Sequence, residues 1–174
     1  DSEGWPPLMA ATSQERTDAA SHLIQAGAQV NITTQAGQSP LMLALGLGMA
    51  HLVNALLNAG ADPSLARKDG FNALMAAIEG DLHDQVGPLI KAGLDVNAQD
   101  EKGWNALMWA ARLGHMECLV KLIELGAQLE VKNNTGETPL MVAACRGMTE
   151  TVKALLNRGA AADTADLEGW TPLM

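Results

Sequence analysis

The segment Gly-x-x-x-Leu-Met occurs six times in this chain, beginning at Gly4, Gly37, Gly70, Gly103, Gly136 and Gly169, so each start lies 33 residues after the last. No insertion or deletion disturbs the interval. Such a period specifies one small supersecondary unit stacked on copies of itself, not a single core built from unrelated elements. It divides the 174 residues into five complete units, 1–33, 34–66, 67–99, 100–132 and 133–165, and a partial unit, 166–174. An array of like modules offers an extended surface assembled from equivalent positions. That directs the search for function toward binding and away from a catalytic pocket.

Each unit reads as two short helices. In 133–165, Thr138 stands at an N-cap, and Pro139 follows at the first helical position, where a missing N–H costs nothing. Ser39, Asn72, Asn105 and Thr171 hold the same cap position, whereas Pro6-Pro7 leaves the first unit without a side-chain cap. The first helix runs through Leu140, Met141, Ala143 and Ala144, and a break is expected at Gly147, matched by Gly48 and Gly114. A second helix carries Val152, Leu155 and Leu156 at i, i+3 and i+4, the spacing of one apolar face. Leu23-Ile24, Leu56-Leu57, Leu89-Ile90 and Leu122-Ile123 repeat that pair. Gly27, Gly60, Gly93, Gly126 and Gly159 end the helix where a left-handed residue is required. Helices of about two to three turns are not stable alone in water, so each apolar face must be buried against neighbouring units.

The period, the Thr-Pro-Leu start and the Gly-Ala-Asp ending resemble the ankyrin repeat. The likeness covers the whole chain and is strongest in WNALMWAARLGHMECLVKLIELGA (104–127) and ETPLMVAACRGMTETVKALLNRGA (137–160). The resemblance implies a mainly α solenoid of stacked antiparallel helix pairs, with hairpin-like loops projecting at a right angle. It further implies a curved stack whose loops and first helices line a concave face that binds other proteins, with no catalytic residues. Two departures stand out. Met9, Met42, Met75, Met108, Met141 and Met174 replace the family's usual His. A thioether cannot donate a hydrogen bond, so packing in the core must link the units instead. Gly87-Pro88 falls inside the second helix of the third unit, where proline is expected to kink or shorten it, making 81–89 the least regular stretch.

Net charge is −9 with a pI near 4.7. Nucleic-acid binding needs a basic stripe, and this balance opposes it as the main role. No apolar run approaches the ~18–20 residues of a membrane span. The opening DSEGWPPLM does not read as a signal peptide, so a cytoplasmic protein is expected. Cys118 and Cys145 lie in different units with neither disulfide-framework nor metal-ligand spacing, so no metal or cofactor is expected. His22, His51, His83 and His115 occupy four different unit positions. No nucleophile–base pattern or paired carboxylate in an apolar setting emerges, and the chain is not read as an enzyme.

Candidate binding residues follow from position within the unit. The residue after each repeated Gly is Trp5, Gln38, Phe71, Trp104, Glu137 and Trp170, so four of the five aromatic side chains share this one place. The resemblance puts it at the foot of the loop, beside the concave face. These rings either pack on the adjacent loop or contact a partner, and Trp is a frequent hot-spot residue. Trp109 lies on a first helix where other units have Ala10, Leu43, Ala76 and Val142, and either fills space left by Ala76 or protrudes into the groove. The resemblance also exposes the end of the first helix, with Glu79, Arg112 and Arg146, and the loops, with Lys102 and Lys132. The candidate partner-binding set is therefore Trp5, Phe71, Glu79, Lys102, Trp104, Trp109, Arg112, Lys132 and Arg146. A basic and aromatic corner in units four and five would suit an acidic or carboxylate-bearing peptide. The other reading of those charges is a solvated mixed surface.

The chain stops inside a predicted helix, at Leu173-Met174, and DLEGWTPLM at its end nearly repeats its start. Neither end reads as the polar cap that arrays need. A piece of a longer array or multidomain protein is expected. Head-to-tail association into a larger assembly, or a regulatory domain of a larger enzyme or channel, are the alternatives to a protein-binding scaffold.

Overall fold

Four capping side chains begin the first helices as expected. Ser39, Asn72, Asn105 and Thr138 accept hydrogen bonds from the backbone N–H groups of Met42, Met75, Met108 and Met141. They open α3 (Pro40–Gly46), α5 (Ala73–Glu79), α7 (Ala106–Leu113) and α9 (Pro139–Cys145); α1 (Pro7–Ser13) follows Pro6 with no side-chain cap. The second helices are α2 (Thr17–Gln25), α4 (Ala50–Asn58), α6 (His83–Lys91), α8 (Met116–Glu124) and α10 (Thr149–Asn157). The structure is a computed structural model that describes residues 5–172, and among these the only regular elements are these ten helices. Met174 and the helix expected after Thr171 lie outside the described residues.

Each first helix packs on its own second helix and on the first helices of the units before and after it. Small side chains permit that approach: Ala44, Ala77, Ala110 and Ala143 share one unit position and are fully buried. The methionine line belongs to the core, with Met9, Met42, Met75, Met108 and Met141 at most 2% exposed. On the second helices the apolar pair divides. Leu56, Leu89, Leu122 and Leu155 are buried, whereas Leu57, Ile90 and Ile123 are half-buried and Leu156 is 41% exposed. The expected two-residue core face is thus one core residue and one flank, because consecutive helical residues diverge by about 100°.

The turn between paired helices needs one left-handed residue. Gly48, Gly114 and Gly147 supply it, but Glu15 (φ 54°) and Asp81 (φ 53°) hold it in units one and three. In unit three the glycine comes one position early. A Cβ on Gly80 would lie 2.8 Å from the Gly48 nitrogen, so Gly80 serves the close approach of two units while Asp81 takes the strained backbone. Proline does not shorten α6, which contains Pro88 and spans nine residues like the other second helices. The hydrogen bond forgone is to the Asp84 carbonyl in the first turn, and both residues are exposed, so water can take that group.

The loops form a second stack. A backbone bond closes each at its base, from Arg67 N–H to Phe71 carbonyl (2.8 Å), Asp100 to Trp104 (2.8 Å) and Asn133 to Glu137 (3.0 Å). Another joins each loop to its neighbour: Lys68 N–H donates to the Ala36 carbonyl, Glu101 to Asp69, Asn134 to Lys102 and Leu167 to Thr135, at 2.8–3.1 Å. The repeated glycine makes this possible. Gly103 has φ 77°, and a Cβ there would lie 2.8 Å from the Asn134 nitrogen. Side chains add further staples, with Asn31 accepting from Asp62 N–H at 2.7 Å and Asn97 from Gln128 N–H at 2.9 Å.

Candidate partner-binding cleft

The loop base sets the geometry. In unit four, Asp100 Oδ1 accepts from the N–H groups of Lys102 and Trp104, both at 2.9 Å, which fixes the backbone that carries the indole. Unit three has Arg67 where unit four has Asp100. Asp69 takes over there: one oxygen accepts from Phe71 N–H at 3.2 Å, and the other holds the Arg67 guanidinium at 2.6 Å. Arg67 then lies over the Phe71 ring, 5.1 Å from its centroid.

Trp109 bridges the two units. Its ring meets Phe71 edge to face, with centroids 5.7 Å apart and planes at 87°, and Trp104 at 5.6 Å and 55°. Such pairs contribute beyond their buried area. Arg112, three residues further along α7, lays its guanidinium 5.3 Å from the Trp109 centroid and 5.6 Å from that of Trp104. A cation over indole faces is held by the ring quadrupole. These groups, with Glu79, Glu101 and Lys102, wall a cleft of about 360 Å³. Among the described residues, the buried Trp109 Nε1 has no hydrogen-bond partner.

The structure therefore brings Phe71, Glu79, Lys102, Trp104, Trp109 and Arg112 together. Phe71 is 7% exposed and acts mainly as packing, whereas Trp104, Trp109 and Arg112 remain partly open to solvent. Trp109 packs on Phe71 and lines the cleft. Lys132 lies elsewhere, its Nζ donating to the Ala165 carbonyl at 2.8 Å, and Arg146 is exposed at the end of α9. Trp5 is half-buried two units away from Phe71, and Trp170 is 55% exposed. The aromatic position is thus one line in sequence with several environments. Arg67 escaped the sequence reading; its signal was an acid two residues on and an aromatic four residues on.

The remaining reactive side chains are spread through the array. Cys118 is buried, and its thiol is pushed up to about 12, first by burial and then by the Asp81 carboxylate 3.5 Å away. Such a thiol is a poor nucleophile. Cys145 is exposed. His115 Nδ1 lies 2.8 Å from the Ile78 carbonyl and so links two units. Among the described residues no cluster of His, Cys, Asp and Glu would hold a metal ion, and no helix is long and apolar enough to cross a membrane.

The family model for ankyrin repeats (three copies) matches residues 1–67, 42–133 and 107–174, which together take in the whole chain. The chain belongs to the ankyrin-repeat family. Ankyrin repeats are generally protein–protein interaction modules and not catalysts. A search of the curated proteins found no match. The ankyrin assignment agrees with the helical architecture, in which helix pairs pack in sequence order.

Proposed function

We propose that this ankyrin array is a non-catalytic scaffold that docks a protein or peptide on its loop and first-helix face, centred on the cleft of units three and four. One observation carries the reading. Two partly exposed indoles and a guanidinium, from Trp104, Trp109 and Arg112, are held against one another by ring contacts. Trp and Arg are the side chains that most often dominate binding energy. Their mutual stacking fixes them before a partner arrives, which lowers the ordering cost of association. The buried Phe71 and the Asp100 turn support that arrangement from below.

The test is a double substitution, Trp104→Ala with Arg112→Ala. A partner is first isolated by affinity capture on the wild-type chain and then titrated against both proteins. Removal of two hot-spot side chains is expected to weaken binding by about 2 kcal/mol or more, with far-UV circular dichroism unchanged. Unchanged affinity would contradict the choice of face.

A further inference from the structure

Resting on that reading of the face, we infer that the cleft of units three and four recognises a carboxylate flanked by apolar side chains, with the Arg112 fork as its receptor. Arg112 is partly buried, yet among the described residues its guanidinium makes neither an ion pair nor a hydrogen bond. The two indole centroids lie 5.3 and 5.6 Å from its Cζ and 5.6 Å from each other, so both rings sit to one side of it. Its N–H groups lie in the guanidinium plane and stay available, which is the geometry that grips a carboxylate in a bidentate manner. The Trp109 ring lines the same cleft beside the fork, while its Nε1 is sealed from solvent.

The charges around the cleft favour one guest over others. Arg67 and Asp69 satisfy each other at 2.6 Å. Asp100 is turned into its own loop by two backbone N–H groups. The cleft is lined by Arg112 and Lys102 together with the exposed Glu79 and Glu101. Those acids oppose a doubly charged phosphate more than a singly charged carboxylate, and only one fork is present. The Trp104 and Trp109 rings offer apolar contact to the residues flanking the acid. The guest that fits is a peptide segment with an Asp or Glu between apolar residues.

The experiment is a two-dimensional amide and indole NMR titration of the 174-residue chain with acetyl-Leu-Glu-Leu-amide. Parallel arms use the Gln peptide, the phosphoserine peptide, and the variants Arg112→Gln and Arg158→Gln. The Glu peptide is expected to move the Trp109 indole N–H resonance. Replacing Glu by Gln, or Arg112 by Gln, is expected to weaken binding about ten-fold, the loss of a charge-assisted bidentate contact. Arg158→Gln, at the end of α10 and outside the cleft, should leave it intact. Equal responses to the Glu and Gln peptides, tighter binding of the phosphoserine peptide, or no response at Trp109 would each overturn the inference. The comparison of Glu with Gln on the unaltered chain does not depend on how any variant folds. Loss of partner binding in the Trp104 and Arg112 double variant, alongside a failed peptide titration, would reject the carboxylate while retaining the face.

Discussion

At the residue scale, the repeated glycine serves two needs at once, and Gly103 separates them. It adopts a left-handed φ of 77°, and any Cβ would meet the Asn134 nitrogen of the next loop at 2.8 Å. Gly126, at the end of α8, also has positive φ (94°), but nothing lies within 4 Å of its absent Cβ. Gly126→Ala should therefore cost only the conformational strain, about 1–2 kcal/mol. Gly103→Ala adds a forced separation of two loops and should cost about 1–2 kcal/mol more. Urea denaturation followed by circular dichroism measures both, and equal losses would contradict the loop-to-loop contact. The sequence displayed both glycines with the same prominence, because a period reports that a residue recurs and not what it faces. The cleft was partly legible for the same reason. Trp104, Trp109 and Arg112 could be picked as candidates from their register, but the stacking of the guanidinium on both indoles depends on side-chain directions that periodicity does not encode. Arg67 was missed because its role depends on Asp69 replacing the usual turn acceptor.

Among the elements, caps and helix pairs were the most legible features. Ser39, Asn72, Asn105 and Thr138 cap as their chemistry requires, since a side-chain oxygen beside an orphan N–H is a local matter. Helix α6 was less legible. Its Gly87-Pro88 suggested a break, yet α5 of its own unit and α8 of the next pack against the helix, and tertiary packing overrides propensity. Gly87 remains a poor helix residue inside an intact helix, and a Cβ there would meet only Lys121 Cε at 3.9 Å. Gly87→Ala should raise stability by about 0.5–1 kcal/mol, visible as a higher urea midpoint. A lower midpoint would mean that α6 is not continuous through this position.

For the whole molecule, the units are held together at three levels: the alanine and methionine lines between first helices, the Asn staples, and the loop ladder. All three require the units to stack in the same register. The proposed binding face depends on this as well, because Trp109 of unit four touches Phe71 of unit three only in that register. The loop ladder gives the most direct test, since its amides find their acceptors only on a neighbouring unit and are protected from solvent exchange only when that unit is stacked. Native-state hydrogen exchange measured by NMR should show protected amides at Lys68, Glu101, Asn134 and Leu167, with Gln35 and Asp69, whose backbone N–H groups donate no hydrogen bond among the described residues, exchanging freely. Exchange at all six positions at the rate of an unstructured peptide would contradict the stacked array on which the cleft depends.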